Sequence, residues 1–442
     1  MVMTMTPADW RDELSKELVH EAGEVQTRRR WRDGPHPWPT PPTALRAVMT
    51  RLCELAETNL CGLAVDAVSE RLAVAGMRVF GDGRDAELWS RIWQANHLDA
   101  DSTDAHREAL TTESAYVLVT HRDGADPLIT VEEPCECVVE YAPGDRRTRV
   151  AALKRFVDER SGYVVATVWT PDEVWTWRAP YRASDVTGPG QRLQWEEHPD
   201  YPGGPNPFGV VPLVEIRCDG ELGHKVTTLQ RRINMTMFRL ITIGEFQIVP
   251  QRYAIGITVD TDVDGNAVNP MQVGEEHVWI LDAEDPSKAQ IGQLEPANIE
   301  PIMKLLEGDV TRFGAITKTP LYYVAGGLVN VSADAIRAAE AGLIAKVGRT
   351  QLKFGQAWEE VYKLALVSIG IDPPADIETQ WADPESRSLA ERADAALKLK
   401  AAGYPFSAVA RKMGETETEI GRLRAEIVAE AGAPALSAPA AP

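Results

Sequence analysis

The densest run of potential ligands in the chain is Asp260-Thr261-Asp262-Val263-Asp264-Gly265. Carboxylates at alternate positions before a glycine form the first half of a calcium loop, where hard oxygens converge on a cation and the glycine permits a sharp turn. The second half is missing. The position that should supply a bidentate glutamate is Met271, and the flanking residues alternate as strands. The segment therefore reads as a β-hairpin turning at Asp264-Gly265, with its acidic side chains toward solvent. Cys135-Glu136-Cys137 offers two thiols without a second Cys or His pair, half of a zinc shell, and reads as two ordinary thiols in a strand. No metal or cofactor site is expected.

Catalytic signatures are equally sparse. No phosphate-cradling G-x-x-x-x-G-K-[ST] loop, G-x-S-x-G elbow, H-E-x-x-H helix or dinucleotide fingerprint occurs, and the eight histidines lie far apart. Trp169, Trp175, Trp177 and Trp195 could form an aromatic sugar platform, which would make the chain a carbohydrate-binding or hydrolytic protein. Aromatics packed within a sheet are the commoner use of such residues. Pro405 to Ile420 has a faint helix-turn-helix spacing, with Ala410 and Gly414. Its second helix opens with Glu415, Glu417 and Glu419, which would face phosphates with like charge.

Charge points the same way. With 46 basic against 66 acidic residues the net charge is −20, the opposite of a protein that grips nucleic acid through clustered Lys and Arg. The run Arg28-Arg29-Arg30-Trp31-Arg32 reads as a solvated or subunit-facing patch. A negative wall can still serve a duplex that must slide without sticking, because it offers phosphates no binding minimum. Five scattered cysteines argue against a disulfide framework. No window approaches the ~18 consecutive apolar residues of a membrane helix, and no secretory signal is visible, so a cytosolic protein without membrane contact is expected.

The elements that must carry these residues fall into a mainly helical α+β pattern. After a Pro-rich lead-in, Pro35 to Pro42, the periodicity predicts helical stripes through Leu52 to Val68 and Ala86 to Leu98, with a strand over Leu72 to Phe80. A helix from Ser102 to Thr112 leads into a strand, Ala115 to Thr120. Short strands follow over Val138–Tyr141, Val150–Val157, Tyr163–Trp169, Glu173–Trp177 and Val211–Arg217. A helix over about Gly223 to Phe246, a β segment from Ile248 to Ile280 and a second helix from near Pro296 come next. The apolar face of that second helix reads Ile299, Met303, Leu306, Val310, Phe313.

Lys318 to Val331 has poor helical character, and Ser332 then caps a helix that persists to about Ile369. At 1.5 Å per residue it would be on the order of 55 Å long, with Gly342, Gly348 and Gly355 in close-packing or kinking positions. From Asp372 onward the pattern is a small helical module, and the Ala/Pro-rich last dozen residues are expected to be disordered.

This order of elements resembles the portal proteins of tailed bacteriophages, in the branch common in long-tailed phages of actinobacteria. The local strings are more specific than the order: residues 59–80 and 89–98, Gln230 to Asn234, Glu245-Phe246, Pro250 to Tyr253, Thr319-Pro320-Leu321, Asn330 to Ala335, Gln351 to Trp358 and Trp381 to Pro384. The chain departs from the resemblance at Glu113-Ser114, where a glycine often precedes the strand, and at Ala333, often glycine.

The resemblance implies a non-enzymatic, elongated protomer of wing, stem, clip and crown. Twelve copies would form a ring at the unique capsid vertex and a channel for double-stranded DNA packaging and ejection. By the same resemblance the wing is 1–222 plus the helix 332–369, the stem 223–246 and 297–317, the clip 247–296, the tunnel loop 318–331 and the crown 370–430, before a disordered tail, 431–442. Implied partners are the major capsid protein, the terminase large subunit, a head-tail adaptor, a scaffolding protein and DNA in transit without sequence specificity. The expected location is the virion, after assembly in the host cytoplasm.

Three residue sets follow as expectations. Glu300, Lys304 and Glu307 border the channel, the glutamates on the stem-helix face opposite the apolar stripe. Lys318, Tyr322, Tyr323, Gly326 and Gly327 belong to the tunnel loop, and Asp260, Asp262 and Asp264 offer a partner surface on the clip.

Overall fold

A computed structural model describes residues 5–38, 46–79, 84–181, 193–248, 252–255, 290–293, 298–325, 333–385, 389–413, 415 and 417–432. The chain divides into two compact units. The first comprises residues 1–37, 59–230 and 311–442, and the second residues 38–58 and 231–310.

The first unit opens with a helix that the sequence pattern does not single out, α1 (Pro7–Asp33). Its start is a capping box: the Asp9 amide donates to Thr6 Oγ1 at 3.3 Å and the Thr6 amide donates to Asp9 Oδ2 at 2.9 Å, with Pro7 in the first turn. Leu14, Leu18, Val25 and Trp31 are its buried apolar residues, too narrow a stripe to stand out in a charged sequence.

After α2 (Arg46–Ala56), which belongs to the second unit, the first unit continues with α3 (Leu60–Ser69), β1 (Val74–Val79), α4 (Arg84–Ala95) and α5 (Leu98–Thr112). Two sheets follow, built from β2 (Ser114–Thr120), β3 (Leu128–Glu132), β4 (Cys137–Ala142), β5 (Asp145–Asp158), β6 (Tyr163–Trp169), β7 (Glu173–Pro180), β8 (Glu196–Glu197), β9 (Gly204–Pro205) and β10 (Leu213–Arg217). One sheet orders β10, β2 and β3, all antiparallel, with Leu213 opposite Leu118 and Tyr116 opposite Glu132. The other runs from β4 to β8 in sequence order, with β9 also on β7.

Alternation explains both faces of the larger sheet. Along β6 every second residue is buried, and adjacent residues such as Val138 and Val139, or Ala151 and Ala152, point to opposite sides. One side meets Leu14 and Leu18 of α1; the other packs with Tyr116, Leu118, Val211 and Leu213.

Two helices cross the boundary between units, α6 (His224–Ile248) after Gln230 and α7 (Glu300–Thr317) after Val310. The second unit contains α2, the later part of α6, the first part of α7 and an antiparallel pair, β11 (Arg252–Ile255) with β12 (Gln290–Gln293).

Beyond α7 the first unit resumes with α8 (Leu321–Ala325) and the 36-residue α9 (Ala333–Ser368). Periodicity reads everything past Asp372 as helical. Instead one more strand, β13 (Ile377–Trp381), returns to pair with β1, Met77 opposite Thr379. Three helices complete the described chain, α10 (Leu389–Ala401), α11 (Phe406–Met413) and α12 (Glu417–Gly432). Of the three α9 glycines, Gly355 has the close-packing role. A β-carbon there would lie 3.3 Å from Trp381 Nε1, and Thr379 Oγ1 donates to the Gly355 carbonyl at 2.9 Å. The Ser332 cap, the Asp264-Gly265 turn and the tail beyond Gly432 lie outside the described residues.

A buried histidine ties several of these elements together. Trp358 Nε1, which can only donate, bonds His106 Nε2 at 2.8 Å, so Nδ1 carries the proton and donates to the Leu72 carbonyl at 3.0 Å. Phe354 stacks on the imidazole at 5.1 Å and Trp381 lies 5.4 Å away. Burial depresses the His106 pKa to about 4, against the smaller opposing effect of the Leu72 bond, and keeps the ring neutral.

Candidate functional site

Within the second unit, α6 and α7 are joined by a bidentate ion pair, with Arg232 Nε and Nη2 each 2.6 Å from Asp309. The Asp309 carboxylate is fully buried, and the fork of the guanidinium compensates a charge that would otherwise be costly there.

The α7 candidates Glu300, Lys304 and Glu307 are all exposed. Lys304 donates to Glu300 at 2.7 Å across one helical turn, so a lysine partly neutralises the acidic strip. At about 100° per residue, Glu300 and Glu307 lie roughly 90° round the helix from Ile299, Met303 and Leu306. They occupy its flank, which corrects the expectation of an opposite face. Ile299, Met303 and Leu305 are 38%, 45% and 45% exposed, so this stretch presents apolar surface as well as charge.

The segment after α7 is built by an unusual turn. Lys318 adopts φ 58°, the left-handed region that favours glycine, and the Thr319 amide returns to the Gly314 carbonyl at 3.0 Å, closing the helix end. Sequence reading treats Lys318 to Val331 as a loop; its described part contains the short helix α8. Both of its tyrosines are half-buried and hydrogen-bonded. Tyr322 donates to Glu340 Oε1 at 2.5 Å, and Tyr323 accepts from Arg71 Nη2 at 2.6 Å. Burial and the Glu340 bond push the Tyr322 hydroxyl well above its ordinary pKa. Arg71 and Glu340, which sequence reasoning missed, approach to 3.3 Å with side chains 10% and 9% exposed. Their separation of 269 residues leaves no local signal to find them by. Gly326, Gly327, Asp260, Asp262 and Asp264 lie outside the described residues.

Other sequence candidates resolve into packing. Trp175 and Trp177 stack at 6.1 Å, and Arg11 of α1 lies 4.8 Å from the Trp177 ring and 5.1 Å from that of Trp195. Trp169 packs against the opposite side of the sheet. Arg28, Arg29 and Arg32 are not a free patch: they pair within the chain with Glu113 at 3.0 Å, Glu108 at 2.7 Å and Glu108 at 2.9 Å respectively. Burial pushes the Cys135 and Cys137 thiols up, so neither is a ready thiolate ligand. Among the described residues no group of three or more His, Cys, Asp or Glu is arranged to hold a metal ion. No helix among them is long and apolar enough to cross a membrane.

Comparison with known proteins gives this geometry its context. The sequence model for "Phage portal protein, SPP1 Gp6-like" matches residues 40–431. The chain is 30% identical over 396 residues to the portal protein of Mycobacterium phage D29, covering 84% of this chain and 78% of that one. It is 29% identical over 413 residues to the portal protein of Mycobacterium phage L5, covering 88% and 79%. Among solved structures, a chain from the neck of a native GTA particle computed with C12 symmetry aligns over 88% of this chain and 99% of its own length, at 12% identity and a TM-score of 0.43. The match over residues 40–431 spans both units, α6, α7 and α9 included, and this chain belongs to the SPP1 Gp6-like family of phage portal proteins.

Proposed function

We propose that twelve copies of this chain close into a ring at the unique capsid vertex, forming the channel through which double-stranded DNA is packaged and later ejected. The observation that carries the reading is the exposed apolar pair of Ile299, just ahead of α7, and Met303 on it, beside the charged flank of Glu300, Lys304 and Glu307. Exposed apolar side chains gain from burial against a neighbouring copy, and a heterologous contact repeated about an axis closes into a ring. The charged flank then borders the channel, where carboxylates repel phosphates and leave the duplex free to move. The net charge of −20 suits that task.

In this reading residues 1–222 and 332–369 form the wing, 223–246 and 297–317 the stem, 247–296 the clip and 370–430 the crown, with 318–331 as the tunnel loop. The clip docks the terminase large subunit during packaging and a head-tail adaptor afterwards. Asp260, Asp262 and Asp264 contribute to that surface. The wing meets the major capsid protein, with a scaffolding protein engaged during assembly in the host cytoplasm. The role is structural, without a cofactor.

A gold-labelled or fluorescently tagged copy incorporated into assembled particles tests the assignment. Label at a single vertex per particle is expected; label spread over the capsid, or on free protein alone, would contradict it.

A further inference from the structure

We propose that Arg71, Glu340, Tyr322 and Tyr323 form a positioning network that docks α8 onto α9 and the end of α3, with Lys318 as its hinge. The proposal rests on the reading of 318–331 as the channel-facing loop, and it adds the device that holds α8 within it.

The network has two sides. On one, Tyr322 and Tyr323 sit on α8; on the other, Glu340 stands in α9, which starts at Ala333. The Tyr322 to Glu340 bond of 2.5 Å joins the two sides directly. Arg71, just beyond α3, then clasps both: its Nη2 lies 2.6 Å from the Tyr323 hydroxyl and 3.3 Å from Glu340, and its guanidinium carbon is 5.7 Å from the centre of the Tyr323 ring. Nη1 is anchored on the Ala67 carbonyl at 3.0 Å. The tyrosine rings lie 4.8 Å apart, so α8 docks as one body. The hold is specific because two hydroxyls, and not apolar packing alone, define it.

The docked state also carries two penalties. Arg71 Nε is buried without a hydrogen-bond partner among the described residues, a deficit that an undocked α8 would let water satisfy. Lys318 holds a left-handed conformation that a non-glycine residue adopts at a cost. A docked position held by two hydroxyl bonds against two penalties is poised to release α8.

Hydrogen exchange on the full-length assembled protein tests this, comparing a peptide containing Leu321–Ala325 with one from the buried part of α9, Leu343–Leu366. Removing both hydroxyls with Tyr322→Phe and Tyr323→Phe keeps the rings and their packing. Exchange in α8 should rise about tenfold or more, while α9 is unchanged. Lys318→Gly relieves the turn and should slow α8 exchange, the opposite sign. Glu340→Gln keeps an acceptor for Tyr322 and should loosen α8 less than Glu340→Ala. Unaltered α8 exchange in the double Phe variant would overturn the proposal, as would a rise shared equally by α9, which would mark the residues as ordinary core. Because exchange reads the network itself, these outcomes stand apart from whether the loop faces a channel. A second readout addresses that: if α8 loosens as expected but packaged DNA per particle is unchanged, the loop reading fails while the network stands.

Discussion

The neutral state of His106 predicts a stability that depends on pH through one buried ring. Its folded pKa lies near 4 against a usual value of 6.5. Because the folded pKa is depressed for a group that is charged when protonated, the unfolded chain binds the extra proton first. Stability is therefore complete above pH 6.5 and is lost as pH falls from there toward 4. Between about pH 8 and pH 4.5 the loss from this one group comes to about 2.5 kcal/mol. The perturbation is His106→Phe, which cannot titrate and still fills the space beside Phe354, Trp358 and Trp381. It strands the Trp358 indole N–H and the Leu72 carbonyl, a cost of roughly 2 to 4 kcal/mol at pH 8.

Urea midpoints measured for both proteins at pH 8, 6 and 4.5 give the difference, in which the titration of surface carboxylates cancels. The wild-type advantage should shrink by about 2.5 kcal/mol across the range. His106→Gln, which also cannot titrate but retains a donor and an acceptor, serves if the Phe variant does not fold. A difference constant within about 0.5 kcal/mol would refute the reasoning, because it would mean that the imidazole is not held neutral by burial.

Three further outcomes follow from the geometry. Lys318→Gly should stabilise the fold by about 1 kcal/mol in chemical denaturation, since it removes a left-handed lysine; a destabilised variant would contradict the turn assignment. Glu113→Gly gains a similar amount at φ 77° but gives up the 3.0 Å pair with Arg28, itself worth up to about 1 kcal/mol, and should be close to neutral by the same assay. Replacing Glu300 and Glu307 together with lysine should leave assembly intact and slow packaging most at low salt, where phosphate attraction is least screened; unchanged packaging at low salt would remove the channel-wall role.

Much of the architecture is legible where one period dominates. The stripe from Ile299 to Phe313 announces α7, and the alternation of Tyr163 to Trp169 announces β6, because each buries one regular face. The departure at Glu113, where a glycine is common, has a physical counterpart in its positive φ. What sequence does not show is either locally weak or far apart. Helix α1 hides because Leu14, Leu18 and Val25 are spread among charges. Strand β13 hides because Ile377 to Trp381 is short and its partner is remote, Met77 and Thr379 being 302 residues apart in the chain. The same holds for the site. Glu300, Lys304 and Glu307 stand out as a charged flank on a periodic helix, whereas the Arg71 and Glu340 partners of the two tyrosines exist only through tertiary contact.

The central claim is closed assembly, and the mass of the purified full-length protein tests it most directly. By native mass spectrometry or mass photometry, twelve copies of the 48.6 kDa chain should appear as one species of roughly 580 kDa, and negative-stain images of the same sample should show rings with a central pore. The double variant Ile299→Glu, Met303→Glu should abolish that species while leaving a folded protomer. A wild-type protein that remains a monodisperse 48.6 kDa monomer across a wide concentration range would contradict the account.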